Sequence, residues 1–167
     1  VRNEVTYVNN VRDFFVEVID GRLKVLLLAN SPHPDLAVWR AALLAQRNYE
    51  VDTRMAAEFS ANDLKKYDLV VLHQLPSSKY LIQSVLDEIN KQQIPKIFLT
   101  GYQTDLYAFN KAQTLLNIDY TGNRSPNEVT MIYNPGFNSF NTSDELRNKL
   151  GTFSPLLSPF GEYAASP

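Results

Sequence analysis

The stretch Pro95-Lys-Ile-Phe-Leu-Thr-Gly-Tyr-Gln-Thr104 decides how this chain is read. Its first half is a short apolar run behind a proline, the pattern of a buried strand. Its second half breaks into a sharp turn at Gly101. A bend of this kind at the end of a strand is a place from which a Cys or Ser nucleophile can be presented. Here it offers Thr100, Gly101, Tyr102, Gln103 and Thr104, and the whole chain of 167 residues has no cysteine.

Working upstream, two further runs have the same buried character. Val25-Leu-Leu-Leu-Ala29 and Asp68-Leu-Val-Val-Leu-His73 are nearly continuous apolar segments, as expected of strands covered on both faces. Residues 48–53 form a shorter, more polar strand, expected nearer a sheet edge. Helical patterns alternate with these strands. Pro34 suits the first turn of a helix that carries Leu36, Trp39 and Leu43 on one face. Ser60 with Asp63 reads as the start of a short helix through Lys66. Leu81, Ile82, Val85, Leu86 and Ile89 make one stripe, and residues 105–116 predict a helix with Leu106, Phe109 and Leu116 inward. Downstream, residues 128–133 predict a late strand, and Thr142 with Glu145 predicts a capping box for a helix ending near Leu150.

Repeated strand–helix units imply a parallel sheet. The expected fold class is α/β, a three-layer sandwich with a mainly parallel, flavodoxin-like sheet, plus a short N-terminal β segment. Residues 1–20 read as a β-strand leader, the end of a preceding β-sandwich or an edge hairpin, with candidate strands at 5–8 and 12–20. Residues 21–152 read as the α/β domain. Residues 153–167, rich in Pro, Ser and Gly, read as a tail or linker.

Composition narrows the function classes. A net charge of -2 argues against nucleic acid as the main partner, since neutralising phosphates needs a basic face. The absence of cysteine excludes disulfides, thiolate metal sites and a thiol nucleophile. No apolar stretch approaches the ~20 residues needed to span a bilayer, so this segment is expected not to insert into a membrane. There is no phosphate-cradling glycine loop. The chain begins with Val1, and it is expected to be an excerpt of a longer protein.

In parallel α/β sheets, ligands bind beyond the carboxyl ends of the strands. Three loops leave those ends here, at residues 30–35, 73–78 and 100–104, and they hold both histidines of the chain. The candidate ligand-binding rim is therefore Asn30, His33, Asp35, His73, Gln74, Gly101, Tyr102 and Gln103. Each has a plainer alternative. His33 could brace the following helix, His73 could be a hydrogen-bonded structural histidine, and Tyr102 and Gln103 could simply hold the turn. His33, His73 and Asp35 have the right atoms for a metal, but no ligand spacing on one element supports them. A Ser–His–Asp set using Ser31 or Ser77 has no G-x-S-x-G elbow behind it. The expectation is no catalytic residue, no metal and no cofactor. The aromatic residues Phe137, Phe140, Phe153, Phe160 and Tyr163 read as core or domain interface rather than as a sugar platform.

With these segments in view, the chain resembles the class I glutamine amidotransferase-like group. The resemblance rests on residues 24–29, 67–76 and 97–104. More closely, it resembles the amidotransferase-like domain of large uncharacterised bacterial proteins in which a β-sandwich precedes the α/β domain. The segments that suggest this are residues 9–22 and Asn30-Ser-Pro-His-Pro-Asp35. The resemblance implies a Cys on the elbow, with a His and a Glu following a later strand. This chain departs from it at every one of those parts: Tyr102 or Gln103 would stand in the nucleophile's place, and no histidine follows Gly101. The resulting expectation is a pseudo-enzyme, a non-catalytic module of a multidomain protein serving a structural, interaction or small-ligand-binding role. The alternatives are a hydrolase-type enzyme using unconventional residues at the rim, with His33 or His73 as base, and a carbohydrate- or peptide-binding module. Expected partners are neighbouring domains of the same chain and a small polar ligand or glycan. The resemblance favours a periplasmic, membrane-anchored or extracellular setting over a cytoplasmic one.

Overall fold

The computed structural model of the chain describes residues 21–120, 125–136 and 141–165. The expected strands at 5–8 and 12–20 lie outside the described residues, as do Phe137 and Phe140.

Four strands form one all-parallel sheet: β1 (Leu23–Ala29), β2 (Tyr49–Met55), β3 (Leu69–His73) and β4 (Lys96–Leu99), in the order β2-β1-β3-β4. Helices flank both faces, the flavodoxin-like three-layer arrangement. Alternation along β1 explains the two layers. Val25, Leu27 and Ala29 join Val51 and Val71 against Leu36, Trp39 and Leu43 of α1 (Pro34–Leu44). Leu26 and Leu28 join Val70 and Leu72 on the other face. There they meet Val85, Leu86 and Ile89 of α2 (Gln83–Gln92) and Leu64 of a short 3-10 helix, Ala61–Lys66. With both faces covered, the central residues of β1 have no solvent exposure, which is why that segment carries no polar residue after Lys24. β2 lies at the sheet edge, as its polarity predicts.

The 3-10 helix is pinned to the sheet by Tyr67, whose hydroxyl donates to Asp52 Oδ2 at 2.8 Å. Burial, and then the adjoining Asp52 carboxylate, push the Tyr67 pKa up to about 12.

Several local expectations need correction. The sequence predicts β4 as a buried strand, but Ile97 is exposed and β4 is the edge strand opposite β2. α1 lies mainly over β1 and β2, and of β4 only Leu99 is among the residues packed against that layer. The third helix, α3 (Leu106–Ala112), stops before Leu116, which instead opens strand β5 (Leu116–Asp119). The side chain of Gln113 ends the helix by accepting from the backbone N–H groups of Leu115 and Leu116. The late strand is only β6 (Asn127–Val129). The cap of α4 (Asp144–Leu150) is Ser143, whose Oγ accepts from Leu146 N–H, rather than Thr142. In α2, Leu81 precedes the first turn and is exposed.

The segment expected as a tail contains two strands. β7 (Leu156–Ser158) pairs antiparallel with β6, and β8 (Glu162–Ala165) pairs antiparallel with β5. Pro159 and Gly161 lie between them, so the residues that look like a linker in sequence are the bend separating two strands. Gly161 is required there, because a Cβ would fall 2.7 Å from the carbonyl oxygen of Asp119.

Candidate functional site

The parallel register brings the three strand-end loops together. Ala29 is level with His73, and His73 is level with Leu99. The first residues past β1, β3 and β4 therefore emerge side by side. Backbone bonds continue this beyond the strands: Asn30 N–H donates to the His73 carbonyl at 3.1 Å, and Gln74 N–H to the Leu99 carbonyl at 2.7 Å.

Side chains then lock the loops. Asn30 donates through Nδ2 to Gln103 Oε1, and Ser31 Oγ donates to the same oxygen at 3.0 Å. Ser77 Oγ donates to Asn30 Oδ1 at 2.8 Å while accepting from Tyr80 N–H at 2.9 Å. Gln74 has a left-handed backbone, φ 52°, unusual for a residue with a side chain. That turn sends its carboxamide back over Gly101, where Oε1 accepts from Gln103 N–H at 3.0 Å. The bend closes on itself through Gly101 N–H donating to Thr104 Oγ1 and Thr104 N–H donating to the Gly101 carbonyl, both at 3.0 Å. Gly101 is the residue the geometry needs, since a Cβ would stand 2.8 Å from Gln74 Cδ.

Beside this network is a cleft of about 340 Å³. Asn30, Ser77, Gly101 and Gln103 line its polar side; Tyr102, Tyr120 and Phe160 contribute aromatic surface. Tyr102 is 67 % exposed and stands clear of the bend rather than filling it. Asp105 also faces the cleft. Its Oδ1 caps α3 by accepting from Ala108 N–H at 2.9 Å, and its Oδ2 accepts from Ser78 Oγ at 3.1 Å.

The candidate residues thus divide into two groups. Asn30, Gly101, Tyr102 and Gln103 line the cleft, and Gln74 supports it from behind. His33, Asp35 and His73 form a separate cluster outside the cleft lining. His33 is the N-cap of α1, and its Nδ1 accepts from Asp35 N–H at 3.3 Å. The same nitrogen lies 3.3 Å from Asp35 Oδ2, which is also 3.3 Å from His73 Nε2. The two imidazole centroids are 4.9 Å apart. His73 is buried. That burial pulls its pKa below the usual histidine value, with the Asp35 contact opposing the shift. The hydroxyls of Ser31 and Ser77 bond to Gln103 and Asn30, so the Ser–His–Asp arrangement drawn from the sequence does not assemble through these contacts.

The sequence reading missed the far wall of the cleft. Tyr120, Pro126, Pro159 and Phe160 arrive there from outside the parallel sheet. Phe160 was visible only as one member of an aromatic-rich end. Its position depends on β7 and β8 folding back, which no spacing in the sequence announced.

Comparisons with protein-family models, with curated proteins and with solved structures find no match.

Proposed function

We propose that this chain is a non-catalytic, amidotransferase-like α/β module of a larger bacterial protein, and that the cleft at its strand ends holds a small polar ligand. The observation that carries this reading is the state of Gln103. It occupies the bend where a nucleophile would stand. Its carboxamide oxygen accepts from Asn30 and Ser31, and its backbone N–H is held by Gln74. A side chain committed in this way organises a binding surface and offers no atom for acyl transfer. The adjoining cleft combines amide and hydroxyl groups and aromatic rings with the charged side chains of Lys79 and Asp105, a mixture suited to a small polar, hydroxyl- or amide-bearing molecule such as a glycan fragment or a short peptide.

The test is a thermal-shift panel of neutral saccharides, amino-acid amides and short peptides. A ligand at ~100-fold excess over its Kd stabilises the native state by about 2.7 kcal/mol, which corresponds to a rise in Tm of roughly 5–10 °C for a chain of this size. Tyr102→Ala, at an exposed position, should keep the wild-type melting temperature within about 2 °C and lose most of the ligand-induced shift. A panel without any stabilising member rejects the reading.

A hydrolytic reading has one observation in its favour, the contact between His73 Nε2 and Asp35 Oδ2, which resembles a base held by a carboxylate. Ester, amide and glycoside panels run on the wild type and on His73→Ala separate the two. Turnover that disappears with the substitution would replace the binding module with an enzyme.

A further inference from the structure

We propose that His33, Asp35 and His73 bind a single divalent transition-metal ion of the zinc type, through His33 Nδ1, Asp35 Oδ2 and His73 Nε2. This site is separate from the ligand cleft and does not depend on the reading given for it.

Geometry is the first support. The carboxylate oxygen lies 3.3 Å from each imidazole nitrogen, and all three atoms fall within 4.8 Å of one another. Bonds of about 2.0–2.2 Å at tetrahedral angles place neighbouring ligand atoms roughly 3.3–3.6 Å apart. Two of the three edges therefore already have the required length. The third, between the imidazoles, is at most 4.8 Å and would close by a small rotation of the partly exposed His33 ring.

The arrangement of lone pairs is the second support. His33 Nδ1 accepts a long hydrogen bond from Asp35 N–H at 3.3 Å, so its single lone pair faces the Asp35 backbone and an ion would take it in place of that bond; the Asp35 carboxylate oxygen lies at the same 3.3 Å. Two acceptors at that separation repel unless a proton or a cation lies between them. The same oxygen also faces the second imidazole. One divalent ion satisfies all three groups at once. His73, 3 % exposed, is the anchor of the set; with Nε2 on the ion its Nδ1 carries the ring proton, which has no hydrogen-bond partner among the described residues, so the ion's bonds must offset that buried N–H.

Preorganisation is the third. His33 is held between Pro32 and Pro34 at the start of α1, and His73 ends the buried strand β3. Only Asp35 and His33 face solvent, so a fourth coordination position opens outward. Three protein ligands and one open position describe an exchangeable or reactive zinc site rather than a closed structural one.

The experiment is titration of the metal-stripped chain with Zn²⁺ by calorimetry and thermal melting, followed by Co²⁺ substitution and visible absorption spectroscopy. The expected result is one ion per chain, a Tm increase reversed by chelator, and d–d bands of a four- or five-coordinate cobalt centre. His33→Ala and Asp35→Asn, both at exposed positions and checked for folding by circular dichroism, should each lower affinity by about tenfold or more. Absence of Zn²⁺ binding, or binding of equal strength in both variants, overturns the proposal. So does an octahedral cobalt spectrum unchanged by either substitution.

Discussion

Asn30 and Gln103, separated by 73 residues of chain, are joined carboxamide to carboxamide across the ends of β1 and β4. Through Oδ1 and its backbone N–H, Asn30 also reaches Ser77 and His73, so one side chain and its amide connect all three strand-end loops.

A double-mutant cycle on this pair should therefore show coupling. Asn30→Ala and Gln103→Ala are each expected to destabilise the chain by about 0.5–1.5 kcal/mol, the net range for hydrogen bonds between a partly buried and an exposed amide. The double variant should fall short of the sum by at least ~0.5 kcal/mol, because the second truncation removes a group that has already lost its partner. Urea denaturation of the four proteins measures it, and strict additivity would show that the two amides do not act together.

Gly101 and Gln74 form a second testable pair. A methyl group at position 101 would meet Gln74 Cδ at 2.8 Å and Cγ at 3.0 Å, displacing the carboxamide that accepts from Gln103 N–H. Gly101→Ala is expected to cost about 1–2 kcal/mol. In a Gln74→Ala background, where the obstructing atoms are gone, the added cost of Gly101→Ala should shrink to a few tenths. An undiminished penalty there would locate the strain in the backbone instead.

Tyr67 predicts a dependence of stability on alkaline pH. Its pKa is raised in the folded state to about 12 from 10.0, by burial first and by Asp52 second. The unfolded chain therefore loses this proton at lower pH than the native chain. The contribution is fully present below pH 10 and is lost as pH rises through about 12. Tyr67→Phe should be less stable than the wild type at pH 8, because Asp52 loses its donor. The gap should narrow between pH 10 and 12. Guanidinium midpoints measured on both proteins across that window are the check, and parallel curves would mean that Tyr67 titrates as it does in the unfolded chain.

Much of the sheet is legible in the sequence because burial on both faces leaves a strong mark. Residues 25–29 and 69–73 admit almost no polar side chain, and Pro34 with Leu36, Trp39 and Leu43 announces a helix packed on one face. β4 misleads because Ile97, Phe98 and Leu99 are as apolar as β1 while one of them is exposed, and local hydrophobicity does not reveal that this strand is an edge of the sheet. The convergence of Asn30, Gln74 and Gln103 follows from strand register and can be anticipated. The meeting of His33, Asp35 and His73 is harder to foresee: their spacing along the chain matches no single-element ligand pattern, and only the level placement of Ala29 and His73 brings them together. The far wall of the cleft is least legible, since Tyr120 and Phe160 are positioned by short antiparallel pairs with largely exposed residues and weak patterning.

The clasp between β5 and β8 sets a practical limit on dissecting this molecule. A version shortened to residues 21–152 would strip Ile118, which has no solvent exposure, of its cross-strand neighbour Tyr163, and would delete Pro159 and Phe160 from the cleft. Such a fragment would keep the parallel sheet yet present a breached pocket and a newly sticky flank, and its silence toward a ligand would say nothing about the intact chain.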